Sequence, residues 1–137
     1  MEKIAKRILI VDDDPNFLSC TQEALQDAGY RVAVKTDAKA ALSYFDGPDG
    51  ADLVISDYKM PGMDGLEFMA ALRKKEPSMP VILMTASGDI DTYIKARRLG
   101  AYEYVNKPIS LRELRTIVKF ALDRSPQSPI ETLTNSD

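Results

Sequence analysis

Histidine is missing from this 137-residue chain. That excludes histidine acid–base catalysis, histidine-ligated metals and a phosphohistidine carried by the chain itself, and leaves cation binding to oxygen ligands. The single cysteine, Cys20, cannot form an internal disulfide, which fits a reducing cytoplasm. No apolar run approaches the ~20 residues a bilayer span needs. The charged stretch Met1 to Lys6 leads into a short apolar run without a signal-peptide cleavage pattern. The expected location is therefore cytoplasmic, with no membrane partner. An excess of base is missing too: 21 acidic against 18 basic residues, net −3, argue against a surface that coats nucleic acid. What is present is a globular mixture, 45% hydrophobic and 28% charged, at the length of one ordinary domain.

Five short apolar runs recur at nearly regular spacing: Ile8 to Val11, Val32 to Val34, Leu53 to Ile55, Val81 to Met84 and Tyr102 to Val105. They are largely continuous and rich in Val and Ile, as strands buried on both faces are. Helical periodicity fills the gaps. The first helix follows Pro15, with Leu18, Thr21, Leu25 and Ala28 on one face, and stops at Gly29. The second starts behind Asp37 with Ala38, Ala41, Leu42 and Phe45 on its stripe. The third follows Asp64-Gly65 with Leu66, Met69 and Leu72, ending at the basic run Arg73-Lys74-Lys75. The fourth runs from about Asp89 to Leu99, and the fifth follows Ser110 with Leu111, Leu114, Val118, Ala121 and Leu122 inward. Such alternation predicts an α/β domain with a parallel sheet covered on both faces. From Arg124 onward Ser and Pro crowd together, so residues 124–137 read as a tail or the start of a linker behind a domain over 1–123.

In an open α/β sheet ligands bind beyond the carboxyl ends of the strands. Those positions hold Asp12-Asp13-Asp14 after the first run, Asp57 after the third, Thr85 and then Ser87 after the fourth, and Asn106-Lys107-Pro108 after the fifth. Each has a plainer reading. Asp13 or Asp14 before Pro15 is a good helix start. Met60-Pro61-Gly62-Met63-Asp64-Gly65 is a turn and a cap. Ser87 suits the cap of the fourth helix, and Met60, Met63, Met69 and Met84 suit packing. Capping explains one aspartate, not three.

The conjunction points further. Carboxylates brought together raise each other's pKa unless a cation sits among them. Oxygen ligands without His or Cys select Mg²⁺ or a similar ion such as Mn²⁺. A lysine and a hydroxyl aimed at the same spot suit an anion bound to that metal. Together they describe a phosphoryl site, in which a carboxylate can itself be the acceptor and form an acyl phosphate.

These residues resemble the receiver domain of two-component response regulators, over roughly Arg7 to Asp123. The resemblance is carried by Ile8-Leu9-Ile10-Val11-Asp12-Asp13-Asp14-Pro15, by Asp57-Tyr58-Lys59-Met60-Pro61-Gly62-Met63-Asp64-Gly65, by Met84-Thr85-Ala86 and by Tyr104-Val105-Asn106-Lys107-Pro108. It implies a single flavodoxin-like (βα)5 domain with strand order 2-1-3-4-5. It implies that Asp57 accepts a phosphoryl group from a partner's phosphohistidine, with Mg²⁺ held by Asp12, Asp13, Asp57 and the main-chain carbonyl of Lys59. Lys107 would pair with the phosphoryl oxygens, ahead of a cis bond to Pro108. Thr85 would hydrogen-bond the phosphoryl group and Tyr104 swing inward behind it, altering the face made by the fourth helix, fifth strand and fifth helix. Lys59 and Ser87 would tune phosphoryl lifetime. The chain would then be a regulatory phosphoacceptor, not an enzyme beyond assisting its own phosphorylation and dephosphorylation. Its implied partners are a sensor histidine kinase or phosphotransfer protein, an output domain or target, and a second copy on phosphorylation. A single basic residue, Arg124, follows Asp123, so this chain itself is expected to bind no nucleic acid.

Two rival readings use the same residues. An aspartate-nucleophile phosphatase of the haloacid dehalogenase type would use Asp12 in an Asp-x-Asp pair with Asp14, but leaves Asp57 unexplained. A flavodoxin-like flavin carrier would have to hold the flavin phosphate against three carboxylates.

Overall fold

Successive strand residues point to opposite faces of a sheet, so the run Ile8, Leu9, Ile10 and Val11, all fully buried, needs cover on both sides. Ile8 and Ile10 enter one apolar cluster, Leu9 and Val11 another. A computed structural model describes the chain over residues 5–86 and 88–123. Ser87, and the 124–137 segment read above as a tail, lie outside the described residues.

Among the described residues the chain runs β1 (Arg7–Val11), α1 (Pro15–Asp27), β2 (Arg31–Lys35), α2 (Ala38–Tyr44), β3 (Leu53–Asp57), α3 (Gly65–Lys75), β4 (Val81–Thr85), α4 (Ile90–Arg98), β5 (Glu103–Asn106) and α5 (Leu111–Asp123). The strands form one parallel sheet in the order β2-β1-β3-β4-β5. This is the flavodoxin-like α/β topology the sequence implies. The register sets Ile8 beside Val32 and Leu53, Ile55 beside Ile82, and Met84 beside Val105. One cluster packs Ile8, Ile10, Ile55, Ile82 and Met84 against Leu18 and Leu25 of α1 and Leu114 and Val118 of α5. The other packs Leu9, Val11, Val54, Val81 and Leu83 against Ala41, Phe68, Met69, Leu72 and Ala96 of α2, α3 and α4. Each such aliphatic side chain contributes roughly 1.5–3 kcal/mol when fully buried. The sheet is thereby held stiffly enough to fix what stands at its strand ends.

Short polar residues start the helices. Asp14 accepts from the amides of Asn16 and Phe17, Asp37 from that of Ala40, and Asp89 from that of Thr92. Asp64 and Glu67 form a reciprocal capping box at α3. Three expectations change. The cap of α4 is Asp89, not Ser87. Phe45 is the C-cap of α2, beyond the helical stripe. Leu111 is 38% exposed, because it opens α5 before the helix settles onto the sheet.

Candidate functional site

Order 2-1-3-4-5 reverses the direction of strand addition between β1 and β3, and the crevice opens beyond their carboxyl ends. Asp12 directly follows β1 and prolongs its ladder, its amide donating to the Lys35 carbonyl at 3.1 Å. Its side chain is fully buried. Oδ1 accepts from the amide of Asp14 at 2.9 Å and Oδ2 from Lys107 Nζ at 2.8 Å. The three consecutive acids thus separate by role: exposed Asp14 caps α1, while Asp12 and exposed Asp13 turn toward Asp57.

Asp57 ends β3 and is 8% exposed. One carboxylate oxygen from each of Asp12, Asp13 and Asp57 lies within 4.8 Å of the others. Lys107 Nζ stands 3.5 Å from Asp57 Oδ1. Burial, and then the charge of Asp12, push the Asp57 carboxyl above its ordinary value, with Lys107 opposing. For Lys107 burial acts downward, but the Asp12 hydrogen bond and the charges of Asp12 and Asp57 outweigh it and hold the ammonium above its usual value. Its Nζ also sits 4.6 Å over the Phe17 ring. The Lys107–Pro108 peptide is cis.

One ammonium cannot neutralise three clustered carboxylates. An all-oxygen donor set, two members buried and one open to solvent, suits a hard divalent cation that keeps waters. Beside it an open cleft of about 400 Å³ is lined by Asp13, Tyr58, Lys59, Met60, Pro61 and Asp64. Gly65 fixes the floor of this loop. Its amide donates to the Tyr58 carbonyl at 2.7 Å, and a Cβ there would stand 2.7 Å from the Asp57 carbonyl oxygen. A larger residue would push α3 away from the end of β3.

On the other side of Asp57, Thr85 ends β4 with 2% exposure, and its carbonyl accepts from the Lys107 amide at 2.7 Å. Tyr104 lies on β5 with its hydroxyl buried. Burial first, then the charge of Asp89, raise its phenol pKa, while the Thr92 and Thr85 side chains act the other way. Its ring meets Tyr93 of α4 edge-on at 5.7 Å between centroids. Tyr104 is therefore inward in this structure. Of the predicted residues, Asp12, Asp13, Asp57 and Lys107 come together, Thr85 and Tyr104 form an adjoining pair, and Lys59 stands exposed on the cleft. Ser87 is outside the described residues.

Sequence reasoning did not single out Phe17, Gly65 or Gly88. A Cβ on Gly88 would stand 2.8 Å from the Tyr104 hydroxyl and 2.9 Å from Asn106 Oδ1. Gly65 was visible only as part of a turn and cap, and the close approaches of both glycines join distant segments and leave no local pattern. The phosphatase rival fails on Asp14, whose carboxylate caps α1 while Asp57 takes the place beside Asp12.

A sequence model of the response regulator receiver domain matches residues 8–119. The regulatory protein AtoC of Escherichia coli is 40% identical over 116 residues, covering 85% of this chain and 25% of that protein. The C4-dicarboxylate transport transcriptional regulatory protein DctD of Pseudomonas aeruginosa is 36% identical over 117 residues, again 85% of this chain and 25% of the other. The chain thus spans about a quarter of the length of these curated relatives. Among solved structures, a CheY-like receiver domain protein from Methanospirillum hungatei superposes with a TM-score of 0.84 at 32% identity, covering 88% of this chain and 95% of that one. The chemotaxis response regulator CheY4 of Vibrio cholerae does so with 0.80 at 28% identity, covering 87% and 100%.

Proposed function

The chain belongs to the response regulator receiver domain family, and within that family we propose that Asp57 is the phosphoacceptor of a Mg²⁺-dependent switch. The observation that carries this reading is the meeting of Asp12, Asp13, Asp57 and Lys107 at the carboxyl edge of the sheet.

An Asp57 carboxylate oxygen attacks the phosphorus of a donor phosphohistidine. The new P–O bond makes an acyl phosphate as the P–N bond breaks, and the electron pair leaves on the donor imidazole. Lys107 supplies fixed positive charge to the phosphoryl oxygens, and the buried walls of the site strengthen it. Asp12, Asp13, Asp57 and the Lys59 carbonyl would hold Mg²⁺, or Mn²⁺ in its place, which supplies charge neutralisation for the incoming phosphoryl group. Water attack on the same phosphorus forms a P–O bond as the acyl P–O bond breaks, releasing inorganic phosphate and returning Asp57 to its free carboxylate, an activity the domain exerts only on itself. Lys59 at the mouth of the cleft and Ser87, two residues after Thr85 in the sequence, tune the lifetime of the acyl phosphate.

Phosphorylation adds roughly −1.5 to −2 charge. States that bring Thr85 and Lys107 to that charge hold it best, so the phosphoryl group shifts an existing equilibrium. With Tyr104 already inward, its effect is to hold Thr85 and Tyr104 in place and to fix the α4–β5–α5 face. That face is read by an output domain, a target protein or a second copy of the chain. The donor is a sensor histidine kinase or a phosphotransfer protein, the setting is the cytoplasm, and the receiver spans residues 1–123.

Label transfer from a phosphohistidine protein tests the assignment. The label should move to the wild-type chain, be released by hydroxylamine and fail to reach Asp57→Asn. Stable label on Asp57→Asn would overturn it.

A further inference from the structure

The basic run that ends α3 contains a residue whose role charge alone does not describe. Arg73 is half-buried. Its Nε donates to the Leu99 carbonyl at 2.8 Å and Nη2 to the Gly100 carbonyl at 3.0 Å. Its Nη1 donates to the Met79 carbonyl at 2.5 Å and, at greater length, to the Glu76 carbonyl at 3.4 Å. Among the described residues its hydrogen-bond acceptors are all main-chain carbonyls. Leu99 is the C-cap of α4 and Glu76 the C-cap of α3.

Helix C-termini present unpaired carbonyls at the negative end of the helix dipole. A planar fork with five N–H donors can satisfy two such ends together, which the point charge of a lysine cannot. The amides of Leu99, Gly100 and Ala101 already occupy the carbonyls of Lys95, Arg97 and Ala96. Arg73 takes the next carbonyls outward, those of Leu99 and Gly100. Gly100 adopts φ +86°, and even a Cβ there would come within 3.3 Å of Nη2.

This tie lies at the end of α4 remote from Asp57. At the near end, Gly88 and the cap Asp89 lie against Tyr104, with Thr85 beside them. Packing holds the helix weakly in between: its buried residues are Thr92 and Ala96, while Ile90, Tyr93 and Ile94 are 69%, 41% and 40% exposed. We propose that Arg73 is a positioning residue of the switch, pinning the C-terminal end of α4 to α3 so that a change at Thr85 and Tyr104 turns α4 about Leu99 and Gly100. The N-terminal half, with Ile90, Tyr93 and Ile94, then carries the displacement to a partner. The pivot rests on Asp57 being the phosphoacceptor; the tie itself does not.

Amide hydrogen exchange on the full chain, with and without acetyl phosphate and Mg²⁺, separates the two. In wild type, phosphorylation should change protection over residues 88–94 and leave 99–101 unchanged. Arg73→Met should speed exchange at 99–101 about tenfold before phosphorylation, and the phosphorylation-dependent change should then spread to those residues. Arg73→Lys keeps the charge, is the milder change if the Met variant folds poorly, and should show the same spread in weaker form. Intact mass of each sample reports phosphoryl uptake. Uptake in both variants with faster basal exchange at 99–101, but with the phosphorylation-dependent change still confined to 88–94, would overturn the pivot alone. A wild-type change at 99–101 as large as that at 88–94 would do the same. No uptake by wild type would overturn the phosphoacceptor assignment and the pivot with it. Unaltered exchange at 99–101 in both unphosphorylated variants would overturn the tie.

Discussion

Asp57 is a carboxylate placed where ionisation is costly. Burial and the neighbouring Asp12 raise its folded-state pKa above the ordinary 3.8. A group with a raised acid pKa binds its proton more tightly when folded, so its ionised form opposes folding. That penalty appears as pH rises from the ordinary carboxylate value to the raised folded value and is complete above it. At neutral pH in a chelator, Asp57→Asn should therefore be more stable than wild type and melt at a higher temperature. The gap should close on acidification. Mg²⁺ should raise the Tm of wild type more than that of the variant. A variant melting below wild type in chelator would contradict this account of the site's charge. The same residues were the most legible in the sequence. Asp12, Asp13, Asp57, Thr85 and Lys107 each follow an apolar run, and strand ends on one edge of a parallel sheet converge. Arg73 was legible only as charge at a helix end, because the acceptors that tie it to the end of α4 are carbonyls 26 and 27 residues away that carry no side-chain signature.

Among the elements, helix starts were read well where an Asp stands before the apolar stripe, as at Asp37 and Asp64. The start of α4 was read less well, since Ser87 and Asp89 are both good caps and tertiary placement chose between them. The β4–α4 junction also carries a constraint beyond any local pattern. Gly88 is the residue under which the Tyr104 hydroxyl fits. Gly88→Ala would put a methyl group 2.8 Å from that hydroxyl and 3.0 Å from Thr85 Cγ2. The Tyr104 ring is the part able to yield, so it should swing outward. Its phenol, held above the ordinary 10.0 mainly by burial, should titrate closer to that value. Side-chain NMR of Tyr104 across an alkaline titration checks this, and an unchanged, still buried ring would contradict it. Phosphoryl uptake should persist, because Gly88 touches none of the clustered carboxylates.

At the scale of the whole molecule, one parallel sheet does two things. Apolar clusters on both faces hold β1, β3 and β4 rigid, and the β1/β3 switch point gathers the carboxylates at their ends. Continuous Val- and Ile-rich runs made the two-sided burial legible. The edge strands β2 and β5 are only partly buried, and β5 is displaced by one residue from the apolar run Tyr102 to Val105. The covered length is about a quarter of relatives such as DctD and AtoC. The central claim is that Asp57, framed by Asp12, Asp13 and Lys107, takes a phosphoryl group. Intact mass after incubation with acetyl phosphate, with and without Mg²⁺, on wild type and Asp57→Ala, tests it most directly. Wild type should gain one phosphoryl group, dependent on Mg²⁺ and labile to hydroxylamine, that is absent from Asp57→Ala. An equal adduct on Asp57→Ala, or steady phosphate release with no adduct on wild type, would contradict it.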